Sequence, residues 1–252
     1  MDKRDDWDRH WFNYDLTASC NPAQTFRREL TVHWLKQQYP RDKCHLLDIG
    51  SGQGDLIASL TRIFPSAEIA GVEMSATGIE QSCAKAPHAS FYQRDLLLAP
   101  KPDDPLLKWA ALAVCSEVLE HVDEPEKFLA NAAQYLAPGA LLFITVPGGP
   151  ISAFDRHIGH RQHFTETSLT RSIRDAGLIP EKVCGMGFPF FNLYKTIIIL
   201  RGKALIRDVS TQSTQQVSLS AKMAMGAFSL VLKRRFNGTL WGWQMIAQAR
   251  RP

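Results

Sequence analysis

Between residues 44 and 147 short apolar runs alternate with amphipathic segments. His45-Leu46-Leu47-Asp48-Ile49 reads as a buried strand that ends in a glycine turn, and Asp55 to Phe64 as a helix with Leu56, Ile57, Leu60, Ile63 and Phe64 on one face, stopped by Pro65. Glu68 to Val72 predicts a second strand and Ser75 to Ala86 a second helix, with Ser75 as its N-cap. Strands are predicted over Ser90 to Gln93, Ala110 to Cys115 and Leu141 to Val146. A helix is predicted over Glu124 to Leu136, ended by Pro138-Gly139. Thr165 to Ala176 predicts a further helix, Ile179 to Gly187 a sixth strand, and the stretch near Leu240 to Ala249 a last one. Strands alternating with helices at this spacing predict parallel βαβ units with helices on both faces, and such sheets bind ligands beyond the carboxyl ends of their strands.

Composition narrows the class. The chain has 252 residues, 45% hydrophobic and 21% charged, as in ordinary globular proteins. The apolar run Ile197 to Leu200 stops at Arg201, far short of the roughly 20 residues a membrane span requires. Met1 to Asp6 lacks the apolar stretch of a secretory signal. Five scattered cysteines form neither a disulfide framework nor a CxxC pair, so reduced thiols and a cytoplasmic location are expected. Charge is uneven. Residues up to 194 are net acidic, whereas from Lys195 onward Asp208 is the sole acid among many Lys and Arg. A basic tail on an acidic body points to an anionic partner, either lipid headgroups or a phosphate-bearing substrate.

The chemistry concentrates at the predicted strand ends. Asp48-Ile49-Gly50-Ser51-Gly52-Gln53-Gly54 lies between the first strand and first helix. Its glycines permit a tight turn and close approach of a ligand to the helix N-terminus. The spacing is G-x-G-x-G; a dinucleotide site would want a third glycine where Asp55 stands, which weighs against a nicotinamide oxidoreductase. Asp48 can accept from an ammonium group, Glu73 can take both hydroxyls of a ribose, and Asp95 can accept from an adenine amine. In this order they point to an adenosyl ligand with an amino-acid end.

LLDIGSGQGDL, GVEMS, RDLL and CSEVLEHV, in that order, resemble the class I S-adenosylmethionine-dependent methyltransferases, over roughly residues 44 to 180. The resemblance implies a Rossmann-like α/β fold with a seven-stranded, mostly parallel sheet and an antiparallel last strand. It implies Asp48, Gly50, Ser51, Gly52 and Gly54 around the methionine portion of the cofactor, and Glu73 on the ribose. Met74 would lie against the adenine, Asp95 and Leu96 at its edge, and Ser116 and Glu117 near the sulfonium. Asn21-Pro22 and EVLEHV resemble the ubiquinone-pathway O-methyltransferases most closely. In that subgroup an arginine two residues after Asn-Pro approaches the cofactor; Gln24 stands there in this chain, so Arg27 or Arg28 is expected in that role or the role is absent.

Two polar clusters are candidates for the reaction, Glu117 to His121 and Asp155 to His163. His121, His160 and His163 are candidate general bases for O-methylation, because imidazole titrates near neutral pH. Glu-x-x-Glu-His also resembles the metal motif of the quinone enzymes and of the small-RNA 2′-O-methyltransferases, which makes Glu117, Glu120, His121 and His163 candidate ligands of a divalent metal. A single domain over 1–252 is expected: a helical cover over 1–40 containing Trp7, Trp11, Phe12 and Tyr14, a cofactor-binding core over 41–187, a helical insertion or lid over 188–238, and the last strand over 239–252. In the insertion, apolar runs flanked by Lys195, Arg201, Lys203, Arg207, Lys233, Arg234 and Arg235 predict a lid over an apolar substrate or contact with an anionic membrane surface at its inner face, or burial in a homodimer. The expected acceptor is small or lipid-linked, with an RNA or glycan hydroxyl, or a non-catalytic adenosyl-binding scaffold, as the alternatives.

Overall fold

The computed structural model describes residue 8 and residues 22–39, 43–211, 238–239 and 241–252, with the backbone alone over 203–211. The predicted aromatic cover at Trp7, Trp11, Phe12 and Tyr14, and Lys233, Arg234 and Arg235 of the predicted insertion, lie outside the described residues.

The chain begins with helix α1 (Pro22–Gln38), followed by β1 (His45–Ile49), α2 (Asp55–Ile63), β2 (Glu68–Glu73), α3 (Ala76–Lys85), β3 (Ser90–Gln93) and β4 (Ala110–Ser116). A short 3-10 turn (Leu119–His121) leads into α4 (Pro125–Ala133), then β5 (Leu136–Pro147), α5 (Ala153–His157), α6 (Glu166–Asp175), β6 (Ile179–Met186), α7 (Phe190–Thr211) and β7 (Gln244–Arg250). The seven strands form one sheet in the order β3-β2-β1-β4-β5-β7-β6. The first five strands pair in parallel, and β7 runs antiparallel between β5 and β6. The sheet order reverses beside β1, where β4 follows on its other side, and this places a crevice at the carboxyl ends of β1 and β4.

Alternation along the strands divides the core. Leu47, Ile49, Ala113, Cys115, Leu142 and Ile144 pack with Phe128 and Leu129 of α4 and Leu169 and Ile173 of α6. On the other face Leu46, Val114 and Phe143 meet Phe26, Leu30 and Trp34 of α1, and Ile57 and Leu60 of α2. Trp34 stacks on Phe143 with ring centroids 4.8 Å apart. Ser75 caps α3 as expected, its hydroxyl accepting from the Gly78 amide at 3.0 Å.

Two boundaries differ from expectation. Helix α4 ends at Ala133, not Leu136, and β5 begins at Leu136 and runs through Pro138-Gly139. Leu136 pairs with Ala110, and the register then shifts before Leu112 pairs with Leu141. Gly139, at φ +78°, takes up that irregularity inside the strand, so the Pro-Gly pair marks a bulge and not a helix stop. The last strand starts at Gln244, later than the expected Leu240, and lies inside the sheet. No helix among the described residues is long and apolar enough to cross a membrane.

Candidate functional site

The glycine turn after β1 is held from three sides. The Gly50 and Ser51 amides donate to the Val72 carbonyl at 2.9 and 3.1 Å. The Gly52 amide donates to Glu73 Oε2 at 3.0 Å, and the Ser82 hydroxyl donates to the Gly52 carbonyl at 2.9 Å. Gly50, Gly52 and Gly54 all have positive φ, which side chains rarely tolerate. A Cβ on Gly50 would stand 2.5 Å from Val118 Cγ2, and one on Gly54 2.9 Å from the Ser82 backbone. The two glycines are therefore needed for packing against the turn after β4 and against α3.

Asp48 and Glu73 end adjacent strands and are both buried. Burial, and then the charge of Glu73, push the Asp48 carboxyl up to about 7. Burial also raises Glu73, although the amides of Ser75 and Gly52 donate to it and oppose the rise. The Ser51 hydroxyl is buried and makes no hydrogen bond among the described residues. A buried acid at Asp48, a second at Glu73 held by two amides, and an unsatisfied hydroxyl in the same turn fit the amino-acid and ribose ends of S-adenosylmethionine. Met74 is exposed at the rim, Asp95 accepts from the Leu97 amide at 2.9 Å, and Leu96 is buried beneath. Asp8 reaches the same rim, accepting from the Ser75 hydroxyl at 2.5 Å and the Thr77 amide at 3.0 Å.

Beyond β4 the backbone turns sharply at Glu117, whose φ of +57° is unusual for a residue with a side chain. Its carboxylate is fixed on both oxygens. Oε1 accepts from Thr145 Oγ1 at 3.1 Å and from Gln244 Nε2 at 2.9 Å, while Oε2 pairs with the Arg27 guanidinium at 2.9 Å. Arg27 Nε also donates to Gln244 Oε1 at 2.9 Å. Of the two arginines expected to stand in for the missing one, Arg27 is thus the one whose guanidinium pairs with Glu117, and α1 reaches the cleft through it. Ser116 meets Thr145 at 2.8 Å beside this network.

The two polar clusters meet as the sequence suggests. Glu120 Oε1 lies 3.9 Å from both His121 Nε2 and His160 Nε2, and one oxygen or ring nitrogen from each of the three lies within 4.8 Å of the others. The Glu120 side chain is 0% exposed, and neither carboxylate oxygen has a hydrogen-bond partner among the described residues. Burial, and then the nearby Glu117 charge, hold its carboxyl well above the ordinary range. An unsatisfied buried acid costs several kcal/mol, roughly, unless a cation, proton or water meets it. Carboxylate and imidazole donors fit a divalent metal here.

His163 stands behind His160. The Gly149 carbonyl accepts from His163 Nδ1 at 3.0 Å, which leaves Nε2 as an acceptor for His160 Nδ1 at 3.2 Å. This fixes both tautomers and leaves the His160 Nε2 lone pair facing Glu120. Asp155, His160 and His163 form a second close group. There Lys195 Nζ donates to Asp155 Oδ1 at 2.9 Å and the Ser152 amide to Oδ2 at 2.8 Å. Burial opposes ionisation of Asp155, but Lys195 outweighs it and brings the carboxyl down to about 2.

Sequence patterning does not reveal this ion pair. It groups Lys195 with bases facing an anionic surface, yet Lys195 is buried and spent on Asp155, and that assignment is corrected. Glu117 belongs to neither close acidic-histidine group.

Comparison with known proteins shows the family. A family model described as methyltransferase domain matches residues 23–182. The trans-aconitate 2-methyltransferase of Paracidovorax citrulli is 28% identical over 66% of this chain and 64% of its own length. The ubiquinone biosynthesis O-methyltransferase of Coxiella burnetii is 32% identical over 45% of this chain and 48% of its own. The chain therefore spans between about half and two thirds of these relatives. Among solved structures the [4+2]-cyclase SpnF superposes with a TM-score of 0.58 at 16% identity, over 89% of this chain and 81% of that one. The fold thus carries more than one chemistry, but the family is shown by the match over residues 23–182. The chain belongs to the methyltransferase domain family.

Proposed function

We propose that the protein transfers a methyl group from S-adenosylmethionine to a hydroxyl of a small or lipid-linked acceptor. The observation that carries this reading is topological: the glycine turn and the turn bearing Glu120 and His121 follow the carboxyl ends of adjacent parallel strands, β1 and β4, and Gly50 packs close to Val118 of the second turn. Asp48 and Glu73 belong to the first half-site, and His160 joins Glu120 and His121 in the second. Bound there, the cofactor supplies an electrophilic methyl on a sulfonium. The residues of the chain then do the rest. Asp48 holds the ammonium end, Glu73 the ribose, and the glycine turn lets the ligand approach the backbone. Alignment alone can supply at most about 7–11 kcal/mol of the barrier. A metal held by Glu120 and the histidines would make an acceptor hydroxyl more acidic, which is the chemistry such an ion supplies. The test is conversion of S-adenosylmethionine to S-adenosylhomocysteine in the presence of phenolic, enolic and carboxylate acceptors. With methyl-labelled donor, label on a phenolic or enolic oxygen supports the reading, and label on carboxylate, carbon or nitrogen alone contradicts it.

Asp48 gives the reading a pH signature. Its folded carboxyl, at about 7, lies above its ordinary value of 3.8, so its contribution to stability is full below about 4 and is lost as pH rises through 7. An ammonium ligand reverses this, because it binds the ionised form. Affinity for S-adenosylmethionine should therefore fall about tenfold per pH unit below 7. Calorimetry at pH 6 and 8 checks it, and Asp48→Asn should flatten the profile. Glu73→Ala should weaken binding by about 1.5–3 kcal/mol, the range for hydrogen bonds to a charged group. Unchanged affinity in a folded Glu73→Ala protein would remove the ribose assignment.

A lipid-linked acceptor is favoured by α7. Leu193, Ile197 and Leu200, spaced along one helical face, are exposed, and Trp241 is exposed as well. Such a face suits an apolar acceptor or a membrane surface, and a peripheral position at the inner face of a membrane belongs to this proposal. Salt-sensitive binding to anionic vesicles but not to neutral ones or RNA supports it; a concentration-dependent dimer without vesicle binding assigns the face to a second copy instead.

A further inference from the structure

We propose that Arg27 determines the ligand set of the metal site, by holding Glu117 away from it and leaving Glu120, His121 and His160 as a carboxylate and two imidazoles. The inference deepens the reading of the cleft just given but does not depend on the methyl donor or the acceptor. The motif Glu-x-x-Glu-His offers two carboxylates, and by resemblance both would bind the ion. In this chain the first is engaged elsewhere. Both Glu117 oxygens are occupied, by Thr145 and Gln244 on one side and by the Arg27 guanidinium on the other. Arg27 is itself fixed by Gln244, so the pair is a braced unit spanning α1, the turn after β4, and β7. Glu120 is the opposite case: fully buried, with both oxygens unsatisfied among the described residues.

The third ligand comes from the loop after α5. His163 is anchored to the Gly149 carbonyl, accepts from His160 Nδ1, and so presents the His160 Nε2 lone pair to Glu120. A ring oriented through its remote nitrogen is what a metal-binding imidazole requires. Lys195 occupies the neighbouring Asp155, so the second group of acid and histidines already holds its own cation. Losing one of two carboxylates leaves imidazoles in the majority, which moves the donor set away from magnesium, which prefers oxygen ligands, and toward zinc and its neighbours.

The test is metal titration of the chelator-treated full-length chain, without cofactor or acceptor, using Zn²⁺, Mn²⁺ and Mg²⁺ against a competing chelator dye. Wild type should bind Zn²⁺ most tightly and take up no Mg²⁺ at millimolar concentration. Glu120→Gln and His160→Asn should each lower Zn²⁺ affinity by about 100-fold or more, since even an outer partner of a metal ligand contributes about 10–100-fold. Glu117→Gln should leave it within about threefold, below the 10–100-fold contributed by even an outer partner. Arg27→Met releases Glu117 Oε2 and should shift preference toward Mn²⁺ and Mg²⁺. Circular dichroism confirms folding of each variant; if His160→Asn does not fold, Glu120→Gln against Glu117→Gln decides the matter. A loss with Glu117→Gln equal to that with Glu120→Gln overturns the proposal, as does tight Mg²⁺ binding or no metal uptake at all. Cofactor calorimetry on the same samples keeps failure of this inference distinct from failure of the proposed reaction.

Discussion

Gly52→Val is expected to lower affinity for S-adenosylmethionine by about 100-fold or more, equivalent to about 2.7 kcal/mol, while the chain remains folded. Both backbone groups of Gly52 are engaged, its amide by Glu73 and its carbonyl by Ser82. At φ +54° a β-branched residue carries about 1–2 kcal/mol of strain, which the turn can relieve only by breaking those bonds. Breaking them releases Glu73 from the position where the ribose is expected. Gly177→Val is the control. Gly177 has φ +78°, nothing within 4 Å of the point where a Cβ would stand, and a position remote from the cleft. It should share the loss of stability and keep cofactor affinity. Equal affinity loss in both variants would mean that strain alone, and not the ligand, explains the effect.

Glu120→Gln and His160→Asn are expected to lower turnover by about 10²–10⁴-fold with cofactor affinity nearly unchanged, the scale for loss of a group that assists proton removal. The first keeps the side-chain shape, and both remove a proposed metal ligand. Chelation should abolish activity, and Zn²⁺ or Mn²⁺ should restore it to wild type but not to Glu120→Gln. Steady-state kcat and KM for the two variants, alongside cofactor Kd, separate this from a packing defect. A defect confined to KM or to thermal stability would make the cluster structural.

Much of this is legible in the chain because the features that carry it are local. Short apolar runs define β1 and β4, amphipathic spacing defines the helices between them, and the glycine turn, Glu73 and Asp95 are ordered along that frame. The misread boundary at Leu136 has a physical cause: Pro138-Gly139 has the composition of a helix stop, whereas the strand ladder to Ala110 recruits Leu136 and uses Gly139 for a bulge. The ion pairs are not legible, because they join residues far apart in sequence. Arg27 and Glu117 meet only when α1 docks on the sheet, and Lys195 reaches Asp155 only once α7 packs against α5. A signal does exist for Gln244 and Lys195. Each is a polar residue in an otherwise apolar segment, and each is buried. A polar group that folding removes from water needs a partner, so such residues are candidates for a site even without a motif.

Binding of the methyl donor in the crevice beside the glycine turn is the claim on which the rest depends. Titration calorimetry of the full-length protein with S-adenosylmethionine, S-adenosylhomocysteine and NAD tests it most directly. One site per chain is expected for the first two ligands, weakened by Glu73→Ala and by Gly52→Val, and no heat with NAD. Binding of NAD in place of the adenosyl sulfur compounds, or affinity for them untouched by both substitutions, would contradict it.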